Sequence, residues 1–369
     1  MNVLVTGAKG FIGKNLMATL KSYQQYNILE IDKGGTLSEL DQAVLQADFI
    51  FHLAGVNRPL NESEFFEGNE ELTKRITNVL MAHEKNTPIL FTSSIKAGDK
   101  NAYGRSKLSS EVALQRYAEK NLAKVYIYRL PNVFGKWARP HYNSVVATFC
   151  YQIARDEPIW IKDPNLLLNL VYIDDVLHQF LEILHEDCRK KSGLLTVTPV
   201  YSLTLGELAN ILTGFKTSRK TKEVIQTDNL LVKKLYSTYL SYLPENELSY
   251  PLIMHKDTRG SFTEFIKTSN RGQFSINCCK PGVTKGNHWH QTKIEKFLVV
   301  SGYGCVRLRS LFSHEILEYE VNGDDLKVID IPAGYTHHIE NTGETDLIVI
   351  IWCNESYDET HPDTYPLEV

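Results

Sequence analysis

Long apolar runs, paired-cysteine motifs, low-complexity tracts and a one-sided charge are all missing from this chain of 369 residues. No stretch approaches the ~20 consecutive apolar residues of a membrane helix, so membrane insertion by a helix is not expected. Six cysteines (Cys150, Cys188, Cys278, Cys279, Cys305 and Cys353) stand without CxxC spacing. They read as buried thiols, not as a disulfide framework or a zinc knuckle. Lysine and arginine number 40 against 44 acidic residues, a net charge of −4. That balance argues against bulk attraction to nucleic acid or to an anionic membrane. No basic leader precedes the opening apolar strand, which sets the expectation of a cytoplasmic protein. What is present is an ordinary globular mixture, 43% hydrophobic and 23% charged, at a length that predicts two domains.

The chain opens with an apolar strand, a glycine turn and a helical pattern: NVLVT, then Gly7-Ala-Lys-Gly10-Phe11-Ile12-Gly13, then KNLMATLKSY. Gly7 permits the tight turn, Gly10 lets the backbone approach a pyrophosphate, and Gly13 lets the helix lie close to the strand. The helix N-terminus offers free N–H groups to the anion. A second strand ends in Asp32, which suits the ribose hydroxyls of an NAD-type cofactor. Lys33 beside it suits a 2′-phosphate, so NADPH and NADH both stay open. Next, ADFIFHLAG is a buried strand whose end, Ala54-Gly55, is small enough for a cofactor to lie against it. A helix from Asn69 through His83 and the strand PILFTSS continue a βαβ alternation, which predicts a parallel, doubly wound sheet.

Chemistry concentrates in Ser93-Ser94 and in Tyr103-Gly-Arg-Ser-Lys107. Tyrosine and lysine four apart share a helix face, so the ammonium is expected to approach the phenol and depress its pKa. Tyr103 then protonates a carbonyl oxygen as hydride arrives, and a strand-terminal serine holds the same oxygen. Together GAKGFIG, HLAG, the serine pair, YGRSK, RLPNVFG and VYIDDV resemble the extended short-chain dehydrogenase/reductase family over roughly residues 1 to 240. The resemblance implies that Ser94 orients the carbonyl, Tyr103 is the acid, Lys107 positions the cofactor ribose, and Asn132 touches a sugar nucleotide. Only eight residues separate Ser94 from Tyr103, a shorter gap than most members show, so Ser93 remains its rival. Beyond Gly135, Lys136, Arg139, His141 and Arg155 are candidates for a nucleotide diphosphate. Residues 201–214 read as a helix with a Thr204/Glu207 capping box, 229–242 as a further helix, and 244–251 as a linker.

After Pro251 the texture changes to short alternating runs between glycine turns, the pattern of an antiparallel barrel. The expected domains are therefore residues 1–243 and 252–369. Within the second, GVTKGNHWHQTKIEKFLVVSG places His288 and His290 on one side of a strand, with Glu295 five residues on. His337 follows in PAGYTHHIEN, and its neighbour His338 is expected to face the other way. Gly282, His288, His290, Glu295 and Gly302 match the first motif of the cupin family position for position. Pro332, Gly334, His337 and Asn341 match its second. Three imidazoles and a carboxylate suit a divalent metal such as zinc, iron, nickel or manganese, and zinc is favoured because polarising a carbonyl needs no redox activity.

DTRGSFTEF and KGNHWHQ also resemble metal-free cupin epimerases of 4-keto-6-deoxy sugar nucleotides, in which a histidine at the position of His288 is the base. His288 thus has two roles in view, ligand and proton acceptor, with Lys285 beside it to stabilise an enediolate. The whole chain resembles the bifunctional capsular polysaccharide enzymes of the CapF type. That resemblance implies epimerisation at carbon 3 of a UDP-linked 4-keto-6-deoxy sugar, then NADPH-dependent reduction at carbon 4. Its product is UDP-2-acetamido-2,6-dideoxy-L-talose, on the way to UDP-N-acetyl-L-fucosamine. A monofunctional reductase whose cupin only binds or assembles, and an epimerase or dehydratase with tightly held NAD, are the rival classes. A homodimer is expected, since sheet edges favour pairing.

Overall fold

A computed structural model describes residues 1–185, 191–268 and 270–369; Cys188 lies outside them. The chain divides into two compact units, one of residues 1–213 and 227–244, the other of residues 214–226 and 245–369. Residues 214–226, which the sequence reading assigns to the first domain, thus group with the second. Among the described residues no helix is long and apolar enough to cross a membrane.

The first unit is built on a parallel sheet of β1 (Asn2–Thr6), β2 (Asn27–Ile31), β3 (Phe49–His52), β4 (Ile89–Ser94), β5 (Val125–Leu130) and, after β6 (Asn132–Phe134) and β7 (Leu167–Tyr172), β8 (Gly193–Leu195). Its order is β2-β1-β3-β4-β5-β8. Strands covered by helices on both faces read as unbroken apolar runs, and β1 shows why. Val3 and Val5 join one core with Leu16, Phe51 and Phe180. Leu4 between them joins the opposite core with Ile50, Leu80 and Phe91. A small second sheet pairs β6, β7 and β9 (Tyr201–Thr204). The doubly wound fold expected from the βαβ alternation is therefore present.

Two helices differ from expectation. Residues 201–204 form a strand because they pair with β7, and the helix begins at Leu205 and runs to Thr221. The Thr204 hydroxyl accepts the Glu207 amide at 3.2 Å, and the Glu207 carboxylate accepts the Thr204 amide at 2.7 Å, so the capping box marks the start correctly. The helix expected at Asn69 instead starts at Ser63 and passes through a π segment, Phe66–Glu71, into Leu72–Ala82. The helix of 229–242 spans Leu230–Leu240, capped by Asn229 on the amides of Leu231 and Val232.

The second unit is antiparallel. One sheet has the order β10-β11-β12-β19-β14-β17 and the other β16-β15-β18-β13-β20. The strands are β10 (Met254–Asp257), β11 (Gly260–Thr268), β12 (Gly272–Cys279), β13 (Thr284–Trp289), β14 (Glu295–Ser301), β15 (Tyr303–Ser310), β16 (Ile316–Asn322), β17 (Val328–Ile331), β18 (Tyr335–Asn341), β19 (Leu347–Cys353) and β20 (Tyr365–Pro366). Inward side chains of both sheets, among them Phe297, Val306, Leu308, Ile339 and Val349, make the core. Cys278 and Cys279 are strand residues, and the five described cysteines are free thiols.

Candidate active sites

In the first unit the glycine turn is shaped by close approach. Gly7 has φ +71°, and a Cβ on Gly13 would lie 2.1 Å from the Gly7 carbonyl oxygen. Gly10 opens the helix of Phe11–Leu20 and accepts the Lys14 amide at 2.8 Å, so the first-turn amides of Phe11 and Ile12 form the anion-facing end. The Asp32 carboxylate accepts the backbone amides of Lys9 at 2.6 Å and Lys33 at 2.7 Å. Ala8, Lys9, Asp32, Lys33 and Gly34 line a cavity of about 490 Å³. A Cβ on Gly55 would meet Asn69 Oδ1 at 2.9 Å and Lys107 Nζ at 3.0 Å. Ala54-Gly55 therefore runs against the Lys107 ammonium, and its smallness is a spatial requirement.

Asn69, from the π segment, accepts the Val56 amide at 2.9 Å and donates to the Val56 carbonyl at 3.2 Å and to Ser106 Oγ at 3.0 Å. It ties the loop after β3 to the helix bearing Tyr103 and Lys107. π segments concentrate at functional sites, but a helical period of 3.6 does not reveal them. Sequence reasoning therefore missed Asn69.

Asn101 caps the helix Ala102–Asn121 through the Gly104 amide at 2.7 Å and so sets Tyr103 and Lys107 in its first turns. Ser94, at the end of β4, hydrogen-bonds the Tyr103 side chain. Ser93 instead donates to Glu111 Oε1 at 2.5 Å. Glu111 also receives two bonds from Arg129, at 3.0 and 2.6 Å. The expected lowering of the Tyr103 pKa is not found. Burial raises it, and the bond to Ser94 offsets only part of the rise. Lys107 does not act on the phenol because its buried ammonium donates to the Thr92 carbonyl at 3.1 Å and lies over the Phe91 ring. Burial lowers the Lys107 pKa to about 8, against the opposing charge of Glu111.

Asn132, Arg139 and His141 are all exposed. Arg139 stacks on Tyr142, and the His141 ring meets Tyr151 edge-on. Two companions are otherwise engaged. Lys136 pairs with Asp174 at 2.8 Å, and Arg155 stacks 3.7 Å from Tyr151 while donating to the Tyr242 carbonyl at 2.9 Å.

In the second unit one ligand atom each from His288, His290, Glu295 and His337 falls within 4.8 Å of the others. β13 and β18 pair His288 directly with His337. A bulge at Asn287, with φ +61°, lies between Gly286 and His288 and shifts the register. His338 points away, to Asn287 Oδ1 at 2.8 Å.

Nε2 of His290 and Nε2 of His337 are buried and make no hydrogen bond. Glu295 Oε2 stands 3.7 and 3.1 Å from them. Burial pushes the Glu295 carboxyl up, but the two imidazoles outweigh it and hold it well below the usual carboxylate range. Burial likewise lowers the His288 pKa to about 4, so its ring is neutral. Buried, unpartnered imidazole nitrogens around an ionised carboxylate are what a divalent cation requires, and the donor set fits zinc. The cluster forms part of the wall of a cavity of about 890 Å³ shared with Lys285. Lys285 donates to Asn277 Oδ1 at 3.0 Å and to the Cys278 carbonyl at 2.8 Å.

A family model described as "NAD dependent epimerase/dehydratase family" matches residues 3–194, and one described as "Polysaccharide biosynthesis C-terminal domain" matches residues 255–365. A UDP-2-acetamido-2,6-beta-L-arabino-hexul-4-ose reductase of Pseudomonas aeruginosa is 44% identical over 370 residues, covering 100% of this chain and 99% of the relative. The crystal structure of the capsular polysaccharide assembling protein CapF from Staphylococcus aureus matches with a TM-score of 0.93 and 51% identity over the whole of both chains. A Bacillus cereus UDP-glucuronic acid 4-epimerase in complex with NAD is 18% identical, covers 66% of this chain and 98% of its own, and has a TM-score of 0.54. That last likeness concerns the fold alone. The chain belongs to the NAD dependent epimerase/dehydratase family, in the CapF-type group that joins such a unit to a polysaccharide biosynthesis C-terminal domain.

Proposed function

We propose that this protein is a bifunctional nucleotide-sugar enzyme acting on a UDP-linked 2-acetamido-2,6-dideoxy 4-keto sugar. The C-terminal barrel inverts carbon 3, and the N-terminal unit reduces carbon 4 with NADPH to UDP-2-acetamido-2,6-dideoxy-L-talose. The observation that carries the reading is the presence of two chemistries in one chain that need the same ketone. One is the Ser94–Tyr103–Lys107 arrangement, the other the His288/His290/Glu295/His337 cluster with Lys285. The full-length likeness to a reductase of a UDP-linked hexul-4-ose supports that choice of substrate.

In the barrel, passing the proton beside the ketone to solvent in the cavity builds an enediolate, and its return from solvent to the opposite face inverts the carbon. Bound zinc, held by the four-residue cluster, supplies Lewis acidity at the ketone oxygen. Lys285 adds its ammonium to the same oxyanion. In the N-terminal unit bound NADPH supplies the hydride. Ser94 fixes the carbonyl oxygen, and Tyr103, whose pKa burial raises, keeps its proton at neutral pH until the oxygen takes it. Lys107 sits against Gly55 to hold the ribose, while Asp32 and Lys33 face the adenosine end. Asn132, Arg139 and His141 grip the sugar nucleotide. Reduction abolishes the acidic position and so fixes the epimerised product.

The apolar row on the outer face of the barrel's six-stranded sheet supports a homodimer. Pairing aligns Phe274 with Trp352, and Ile276 with Ile350, Leu298 and Val328, all exposed or half-buried. A nucleotide-sugar substrate and free thiols support a cytoplasmic location. The decisive experiment supplies the UDP-4-keto sugar in deuterium oxide with and without NADPH. Deuterium at carbon 3 without NADPH, and the 4-hydroxy product with it, are expected. Reduction with no exchange at carbon 3 would reduce the protein to a monofunctional reductase.

A further inference from the structure

The end of the chain crosses the barrel's histidine cluster. Asp363 stands in left-handed backbone, φ +39°, and from there it makes two kinds of contact at once. Its carbonyl oxygen accepts Nδ1 of His290 at 2.5 Å. Its carboxylate accepts the backbone amides of Gln291, Thr292 and Lys293 at 3.0, 2.9 and 3.0 Å, and the Thr292 hydroxyl at 3.1 Å. The buried Lys293 ammonium donates to the Pro362 carbonyl at 2.8 Å. Further along, Tyr365 pairs with Trp289 in β13 and stacks on its ring. The Leu367 amide reaches the Asn287 carbonyl, and the Leu367 carbonyl takes the hydroxyl of Thr336, the residue before His337. None of these bonds consumes a ligand atom of the cluster, and Nε2 of His290 is left buried and unpartnered.

A carbonyl oxygen can bond Nδ1 only if that nitrogen carries the proton, which leaves the Nε2 lone pair free for a metal. We propose that the strap Pro362–Leu367 is a working part of the metal centre, with Asp363 as a positioning residue that fixes the tautomer and rotation of His290. The carboxylate's role is to lock the 291–293 turn onto the strap, so that the backbone carbonyl stays against the ring. This rests on the metal assignment made for the barrel, and it adds a residue that no ligand motif contains. Outer partners of metal-bound histidines are typically worth about 10–100-fold in metal affinity.

The test uses the full chain and zinc alone, with affinity read by competition against a chromophoric chelator. Asp363→Gly tolerates the left-handed backbone and removes the side chain while keeping the carbonyl. Its zinc affinity is expected to fall about 10–100-fold while NADPH binding to the other unit is unchanged. Asp363→Asn keeps an acceptor oxygen and should fall between it and the native protein, which also covers the case of a glycine variant that folds poorly. Val321→Ala, a core truncation away from the strap, should lower the barrel's melting temperature and leave zinc affinity alone. Native affinity in both Asp363 variants overturns the proposal, and so does an equal loss of zinc in Val321→Ala. A native protein that binds no zinc overturns the metal assignment itself, a different outcome from native binding with indifferent Asp363 variants.

Discussion

The Ser93 hydroxyl donates to Glu111 Oε1 at 2.5 Å, and that bond turns it away from Tyr103. Ser94 is left as the serine that meets the phenol. Replacing Ser94 by alanine should therefore lower kcat for ketone reduction about 10²–10³-fold, the usual cost of removing a donor aimed at a developing oxyanion. Ser93→Ala should act on stability, costing about 1–3 kcal/mol because it strips a partner from a buried carboxylate. Steady-state kinetics and urea unfolding on the two variants check the division.

Burial lowers the Lys107 pKa to about 8 and raises that of Tyr103. The alkaline limb of kcat/KM for reduction is thus expected near pH 8, from loss of the lysine's charge. Glu111 opposes the shift, so Glu111→Gln should move the limb to lower pH. Stability responds with the opposite sign. Below pH 8 Lys107 is protonated in both states and the full cost of its burial is present. Between pH 8 and the unfolded value near 10.5 the unfolded chain holds the extra proton, and stability rises with pH. Any stability advantage of Lys107→Met at pH 7 should accordingly narrow across that window in chemical denaturation.

A Cβ at Gly13 would lie 2.1 Å from the Gly7 carbonyl oxygen and 2.8 Å from the Ala8 backbone. Neither neighbour is a flexible side chain. Gly13→Ala is expected to push the helix off the turn, costing at least the ~1–3 kcal/mol of ordinary overpacking, and to abolish NADPH binding measured by fluorescence. The barrel's zinc content should be unaffected.

The parallel sheet was legible because both faces of β1 are covered and its residues are accordingly apolar without a break. The strand period of two made His288 and His290 legible as neighbours on one face, and the resemblance to the two cupin motifs added Glu295 and His337. What stayed hidden depends on contacts between distant segments. Glu111 reads as a polar helix residue until Ser93 and Arg129 converge on it. Asn69 acts through a π segment whose signature is a lost register, not a residue type. The direction of the Tyr103 shift was misjudged because four-residue spacing gives a shared helix face, whereas the pKa is decided by burial and by where the Lys107 ammonium finds its acceptor. Asp363 lies 73 residues from His290, and no motif links the two.

His288 and Lys285 share one cavity wall but have different bonding environments, and that allows metal binding to be separated from proton transfer. The His288 ring lies 4.6 Å from that of His337 and 4.9 Å from that of His290, inside the cluster. Lys285 bonds Asn277 and the Cys278 carbonyl instead. His288→Gln should lose zinc and deuterium exchange at carbon 3 together. Lys285→Met should keep its zinc and lose exchange by about 10²–10³-fold, the cost of one oxyanion contact. Both variants should still oxidise NADPH when given the already epimerised 4-keto sugar, since Tyr103 and Ser94 belong to the other unit. Should His288→Gln retain zinc while losing exchange, His288 is the base, and His290, Glu295 and His337 hold the ion with positions open to the substrate.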